Sequence, residues 1–143
     1  MKWLVSTCFL SLFLNCSQNP KAKIPFIEGY WEIEEVILED GSKKIYGFND
    51  TIDYIQLFDS LAGFRKKLKP NLTGSFETSN DVETFQIKIE NDSLNLYYKT
   101  QFANWKETVL VASENEFLII NKAKVRYLYK RYHPLDLSND QTQ

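Results

Sequence analysis

Apolar and polar residues alternate along most of the chain after the first thirty residues. In the segment 84–90, Phe85, Ile87 and Ile89 are apolar, and every residue between or beside them is polar. Successive side chains of a β-strand point to opposite faces, so this two-residue period predicts a strand with one buried face. No segment has a convincing period of 3.6 residues, and the pattern therefore predicts a chain built from strands.

Polar turn sequences divide this pattern into short, regularly spaced segments. The predicted strands cover residues 31–38, 43–46, 53–58, 64–68, 72–77, 84–90, 94–100, 105–111, 116–120 and 124–132. Eight to ten antiparallel strands at this spacing are typical of an all-β barrel or sandwich. Because consecutive strands form hairpins without a long crossover, the pattern favours a single up-and-down barrel, which leaves no exposed edges.

The parity of the apolar positions changes inside the first predicted strand. Trp31 and Ile33 share one face, whereas Val36 and Leu38 share the other. One extra residue between these pairs restores a single apolar face, so the change predicts a β-bulge at residues 34–35.

The first fifteen residues have the pattern of a signal peptide for export. Lys2 gives a positive start, and residues 3–14 are apolar except for two serines and one threonine. This run is shorter than the roughly 20 residues needed to span a bilayer, and it fits the apolar core of a secretory signal.

A cysteine stands where the apolar run ends, in the sequence Leu14-Asn15-Cys16-Ser17. This ending resembles the signal of bacterial lipoproteins, in which the cysteine is lipidated and becomes the first mature residue. The resemblance implies a lipid anchor at Cys16, a tether over residues 16–25, and an outer-membrane lipoprotein that faces the periplasm. The alternative is an ordinary signal peptide in which Cys16 has no such role.

Composition and charge limit the remaining possibilities. The chain is 43% hydrophobic and 15% aromatic, which fits one globular domain over residues 26–135 and a disordered polar tail over residues 136–143. Its net charge is −2 and becomes −3 without residues 1–15, so nothing indicates a nucleic-acid partner. Both cysteines lie in the first sixteen residues and His133 is the only histidine, so the sequence predicts no metal and no cofactor.

The sequence also lacks the residue sets that catalysis requires. His133 has no nucleophile near it along the chain. The acidic pairs at residues 34–35 and 39–40 lie at the predicted bulge and at a turn, where solvated acids are the better interpretation. We therefore expect the protein not to be an enzyme.

Gly29-Tyr30-Trp31 at the start of the first predicted strand and Arg131 near the end of the last resemble the lipocalins and their short bacterial lipocalin-like relatives. In that family the tryptophan plugs the closed end of the barrel, and an arginine from the last strand packs over it. The resemblance implies that Gly29, Trp31 and Arg131 close the barrel. The folded part is shorter than full lipocalins, and the sequence predicts no helix against the barrel.

Polar-tipped residues on the predicted inner faces form a candidate ligand site. They are Tyr98, Thr100, Glu107, Tyr127 and Tyr129. In one interpretation they line a cavity for a small molecule, because such sites combine aromatic walls with a few hydrogen-bonding groups. In the other interpretation the barrel is filled, and the tyrosine hydroxyls bond to the backbone at its rim.

The dense basic run Arg65-Lys66-Lys67-Leu68-Lys69 has two interpretations as well. It is predicted to be a solvated edge strand protected by its lysines, in preference to a contact for anionic lipid headgroups.

The leading hypothesis is a periplasmic, lipid-anchored lipocalin-like barrel that binds a small apolar or amphipathic molecule. Its partners are then the membrane, through the anchor, and the ligand. The alternative is a protein-interaction or assembly module with a filled barrel. An open, aromatic-lined interior favours the first hypothesis, and a packed interior with an apolar outer patch favours the second.

Overall fold

The computed structural model describes residues 18–59 and 61–134, which form one helix and nine strands. Helix α1 covers Pro20–Ile27. The strands are β1 (Gly29–Ile37), β2 (Lys43–Ile45), β3 (Ile52–Asp59), β4 (Ala62–Pro70), β5 (Phe76–Glu90), β6 (Ser93–Lys99), β7 (Asn104–Ala112), β8 (Glu116–Asn121) and β9 (Arg126–Arg131). Within the described residues, no helix has the length and apolar character required to cross a bilayer.

The strands form one antiparallel sheet that closes on itself. Each of β3 to β8 pairs with the next strand along the chain, and β1 pairs with both β3 and β9. Eight strands therefore make a closed barrel, and β2 is an additional strand that pairs with the second half of β1. This confirms the prediction of a single up-and-down barrel of eight to ten strands.

The two ends of the barrel differ. At one end, which we call the closed end, β1 begins, β9 ends, and helix α1 packs against β6 and β7. The side chains that fill this half are almost completely buried; among them are Ile27, Trp31, Leu94, Leu96, Val109, Phe117 and Ile119. The opposite end, the open end, is formed by the β1–β2, β4–β5, β6–β7 and β8–β9 turns.

The predicted β-bulge in β1 is confirmed. The pairing of β1 with β9 shifts register between Ile33 and Glu35, which leaves Glu34 as the extra residue. The backbone carbonyl of Glu34 instead accepts a hydrogen bond of 2.9 Å from the amide of Tyr46.

The predicted turn at residues 79–81 was wrong, and so was the separate strand predicted at residues 72–77. The chain turns earlier, where the Asn71 side chain accepts hydrogen bonds from the amides of Thr73 and Ser75. β5 then runs for 15 residues, and residues 79–81 form a bulge opposite Lys67, where the pairing of β5 with β4 shifts register. Its pairing with β6 begins only at Thr84, so the polar residues before it lie in an exposed two-stranded arm.

Helix α1 also differs from the sequence analysis, which predicted no helix against the barrel and a polar tether as far as residue 25. Ile24 and Ile27 are buried in the core, and the Trp31 indole donates a hydrogen bond of 2.8 Å to the Ile27 carbonyl. Lys23 donates from Nζ to the Val109 carbonyl at 3.3 Å, next to a register shift in β7. These tertiary contacts stabilise a helix of only eight residues, which is too short to be stable alone.

Candidate functional site

The three predicted closure residues lie together at the closed end. The Arg131 guanidinium carbon is 3.7 Å from the centroid of the Trp31 ring, and the two residues are direct partners in the β1–β9 ladder. Arg131 also donates hydrogen bonds to the carbonyls of Glu114, Glu28 and Phe26, at 2.8, 2.7 and 3.2 Å. One side chain therefore ties together α1, the start of β1 and the β7–β8 turn.

The position of the Arg131 guanidinium explains why residue 29 is a glycine. Its φ of +130° is a conformation that other residues rarely adopt, and a Cβ there would lie 2.1 Å from Arg131 Nη1. The guanidinium occupies the space that any larger residue would need. Burial lowers the pKa of Arg131, while the neighbouring Glu114 acts in the opposite direction.

The open end contains a cavity of about 510 Å³, which we call the open-end cavity. Its lining residues come from β4, β7, β8, β9 and the β8–β9 turn. They are Arg65, Lys67, Trp105, Lys106, Glu107, Asn121, Lys122, Ala123, Tyr127 and Tyr129. Of the residues predicted to line a ligand site, Glu107, Tyr127 and Tyr129 are therefore present in this cavity.

A buried ion pair forms the floor of the open-end cavity. Arg65 and Glu107 are only 9% and 6% exposed. Arg65 Nη1 donates to Glu107 Oε2 at 3.1 Å, and its Nε donates to Glu83 at 2.7 Å. Buried charges are tolerated only when paired and hydrogen-bonded, and this arrangement meets that condition.

The protonation of this pair follows from its surroundings. Burial raises the pKa of Glu107, and the attraction of Arg65 only partly offsets this. Burial by itself lowers the pKa of Arg65, but nearby groups that include Glu107 outweigh it and hold that pKa well above its ordinary value. Arg65 therefore remains cationic.

Two further predicted residues lie outside the open-end cavity. Tyr98 packs behind Trp105, with their rings stacked at 4.9 Å, and it is 2% exposed. Its hydroxyl forms no hydrogen bond within residues 18–59 and 61–134, and burial raises its pKa. Thr100 lies in the β6–β7 turn, where its hydroxyl bonds to the backbone of Phe102 and Ala103.

The basic run at residues 65–69 is not the solvated edge strand that was predicted. It belongs to β4, which lies between β3 and β5 inside the sheet. Arg65 and Leu68 are buried, and Lys67 forms an ion pair with Asp53, which is itself 2% exposed. Sequence reasoning missed Arg65 and Asp53. The one signal in the sequence was the alternation of faces along the strand. Arg65 and Lys67 alternate with the outward-facing Phe64 and Lys66, which places Arg65 and Lys67 on the inner face.

Two grooves lie elsewhere on the barrel. A row of aromatic rings crosses the outer face of β1, β3, β4 and β5, and we call it the outer aromatic row. It consists of Tyr30, Tyr54, Phe58, Phe64 and Phe76, with neighbouring centroids 4.7 to 6.0 Å apart, and it borders a groove of about 370 Å³. A wider groove of about 760 Å³ crosses β4 to β7, but its charged lining residues, Lys99 and Lys106, are exposed. Only the open-end cavity among these has a buried ion pair.

A closed antiparallel up-and-down barrel with one sealed end is the architecture of the lipocalins. Residues 27–119 match the sequence model of the lipocalin-like domain. The match covers more than half of the chain, which therefore belongs to the lipocalin-like domain family.

Solved structures with a similar fold include natural and designed barrels. A lipocalin-like protein from Bacteroides uniformis is 7% identical over 73% of this chain and 97% of its own, with a TM-score of 0.45. An uncharacterized protein from Bacteroides eggerthii is 11% identical over 73% and 98%, with a TM-score of 0.46. A de novo designed fluorescence-activating β-barrel is 12% identical over 76% and 96%, with a TM-score of 0.44. The comparison with curated proteins gave no match.

Proposed function

We propose that this lipocalin-like protein binds a small amphipathic molecule in the open-end cavity and does not act as an enzyme. The observation that supports this most directly is a cavity of about 510 Å³ with three aromatic walls, Trp105, Tyr127 and Tyr129, above a buried ion pair. Small-molecule sites commonly have volumes of about 300–1,000 Å³, with aromatic linings and a few polar groups that fix orientation.

The packing of the closed end limits the shape of the ligand. Trp31 and Phe117 fill the half of the barrel below the cavity, and neither is more than 1% exposed. A long alkyl chain therefore has no room along the barrel axis, and a compact molecule fits better. The rival function, an interaction module, was predicted to have a filled barrel, whereas the open half of this barrel is not filled. The outer aromatic row is the one feature that favours that rival.

We also propose that the protein is anchored to the outer membrane through Cys16 and faces the periplasm. Cys16 lies outside the described residues, and the support for this proposal is its sequence context. Only residues 17–19 separate it from α1, and at about 3.5 Å per residue they span roughly 14 Å at most. Because α1 lies at the closed end, such an anchor holds the closed end towards the membrane and leaves the open end accessible.

The anchor is tested by cell fractionation. Cys16→Ala should move the protein from the detergent-extracted membranes to the soluble periplasmic fraction, and Cys8→Ala is the matched control. Unchanged membrane association of Cys16→Ala, with no lipid mass on the N-terminal peptide, would refute the proposal.

Ligand binding is tested on protein purified from its own host. Native mass spectrometry should detect a co-purified small molecule, and the ligand should be released chemically unchanged. Tyr127→Ala should weaken rebinding several-fold, since an aromatic contact contributes about 0.5–1.5 kcal/mol. Tyr30→Ala, which removes a ring from the outer aromatic row, should leave rebinding unchanged. If no small molecule is found and only Tyr30→Ala disturbs a protein complex, the interaction module becomes the better description.

A further inference from the structure

We infer that the open-end cavity recognises a flat aromatic ring, which stacks on the indole of Trp105 and accepts a hydrogen bond at its edge from the side-chain amide of Asn121. This inference rests on the proposed function, because it assigns the chemical class of the molecule that the cavity binds. It is independent of the lipid anchor.

The indole of Trp105 is held in one orientation by contacts on one face and at its nitrogen. Its ring lies parallel to that of Tyr98, with 4.9 Å between the centroids and 4° between the planes. Its Nε1 donates a hydrogen bond of 3.3 Å to Glu107 Oε1. Tyr98 is itself fixed, because it is 2% exposed, and the ring of Phe85 and the guanidinium carbon of Arg65 lie 5.2 and 4.6 Å from its centroid. A ligand that contacts this indole therefore meets a preorganised surface, and binding has a smaller entropic cost.

The other face of the indole is turned towards the open-end cavity. Tyr98 and Trp105 are direct partners in the β6–β7 ladder, so Tyr98 covers the face on the side of β6. The opposite face lies on the side of β8, whose last residue, Asn121, lines the cavity together with the turn that follows it. Trp105 lines the cavity as well and is half-buried, and Tyr98 is the only aromatic ring that stacks on it in the part of the chain that the structure describes. One face of a fixed indole is therefore left for the ligand.

A flat ring fits this surface better than an alkyl chain does. Stacked aromatic pairs are stabilised beyond the burial of their area alone, because the charge distributions of the two rings are complementary in an offset stack. A ring on the free face of Trp105 continues the parallel stack that Tyr98 begins. A compact ring also suits a barrel whose closed half is filled by Trp31 and Phe117.

Asn121 supplies a polar contact at the edge of such a ring. It is the direct partner of Glu107 in the β7–β8 ladder, and Trp105 lies two residues before Glu107 on the same face of β7. Asn121 and Trp105 are therefore diagonal neighbours, at a spacing of about 7–8 Å that admits one stacked ring. The Asn121 side-chain oxygen accepts a hydrogen bond of 3.1 Å from the Val125 amide, whereas its Nδ2 donates to no other residue within the ranges 18–59 and 61–134. An acceptor on the ligand, such as a carbonyl oxygen or a ring nitrogen, uses this donor.

The test compares three probes of similar size by NMR titration of the purified protein. Coumarin is flat and has a carbonyl acceptor, octahydrocoumarin has the same lactone on a saturated skeleton, and naphthalene is flat without an acceptor. Coumarin should bind about two- to tenfold more tightly than octahydrocoumarin, which is the range expected for one aromatic pair. Coumarin and naphthalene should also shift the indole resonances of Trp105 through their ring currents, whereas the resonances of Trp31 should stay in place.

Four single variants locate the ring. Trp105→Leu should remove the preference for coumarin over octahydrocoumarin, and Trp105→Phe, which keeps a ring at this position, should retain it. Tyr97→Leu is the matched control, because Tyr97 lines the wider groove beside Trp105 but lies on the outer face of β6, and its loss should leave the preference unchanged. Asn121→Asp keeps an oxygen for the Val125 amide and removes the side-chain donor, so it should weaken the binding of coumarin several-fold more than that of naphthalene.

The outcomes separate the aromatic ring from ligand binding in general. If octahydrocoumarin binds as tightly as coumarin, or if coumarin binds without a ring-current shift at Trp105, the aromatic ring is refuted while ligand binding stands. If Tyr97→Leu weakens coumarin binding and Asn121→Asp does not, the ring lies in the wider groove and the inference is wrong. If no probe binds and no ligand co-purifies, the proposed function itself fails.

Discussion

Gly29→Ala is the most informative single substitution at the closed end. The added methyl group has two effects, which arise from different parts of the structure. The backbone at this position has a φ of +130°, so alanine is strained, at a cost of about 1–3 kcal/mol. The methyl group also occupies the place of Arg131 Nη1, 2.1 Å away, and the guanidinium has to move.

Moving Arg131 removes interactions that can be counted. Its Nη1 loses the hydrogen bond of 2.7 Å to the Glu28 carbonyl, worth about 1.5–3 kcal/mol for a charged donor. Its stacking over Trp31 at 3.7 Å is also disturbed, at about 0.5–2 kcal/mol. Gly29→Ala should therefore lower the free energy of unfolding by about 3–8 kcal/mol in the wild type. In an Arg131→Ala background only the strain remains, about 1–3 kcal/mol.

The measurement is a double-mutant cycle by urea unfolding, followed by tryptophan fluorescence. The combined cost of Gly29→Ala and Arg131→Ala should be smaller than the sum of the single costs by at least about 1.5 kcal/mol. Gly41→Ala is the matched control, because Gly41 has a φ of +84° but nothing within 4 Å of its added Cβ. Its cost should be the same in both backgrounds. Equal costs for Gly29→Ala in both backgrounds would show that Arg131 does not pack beneath Gly29.

Three further predictions concern the charged floor and helix α1. Arg65→Met should destabilise the protein by about 3–5 kcal/mol because it leaves Glu107 buried without its cation. Adding Glu107→Leu should restore much of the lost stability in urea unfolding. A double variant as unstable as Arg65→Met alone would contradict the pairing. Burial raises the pKa of Glu107, so its contribution to stability is fully present below its unfolded pKa and is lost as pH rises through the folded pKa. Glu107→Gln should therefore flatten the decline of the urea midpoint over that pH range, and an unchanged slope would contradict it. Ile24→Ala should lower the free energy of unfolding by about 2–4 kcal/mol, because it truncates a core side chain. Phe26→Ala, on the same helix at a site 38% exposed, should lower it by less than half as much. Equal losses in urea unfolding would mean that α1 is not part of the core.

The sequence predicted the features of the fold that depend on neighbouring residues. Alternation at residues 84–90 predicted a strand, and a change of parity near Glu34 predicted a bulge, because both follow from the pleat of the backbone itself. The same reasoning placed Glu107, Tyr127 and Tyr129 on inner faces, where they line the open-end cavity.

The predictions from sequence were wrong where the local composition and the tertiary contacts favour different structures. Residues 79–81 have the composition of a turn, yet they form only a bulge within β5, because Asn71 and its neighbours already form the hairpin turn. Polar residues are tolerated there because this arm of the sheet is exposed. Helix α1 has two prolines and only eight residues, and it exists through contacts with Trp31 and the core that no local pattern predicts.

The candidate site was decided mainly by tertiary structure. Arg65 belongs to a run of basic residues, and such a run is usually solvated. It is buried here because closure of the barrel brings Glu107 to it from 42 positions away along the chain. Glu107 and Asn121 lie side by side in the cavity wall because β7 and β8 pair in a particular register. The pleat gives each side chain its face from local geometry, but only the closed sheet determines which charges meet across the barrel.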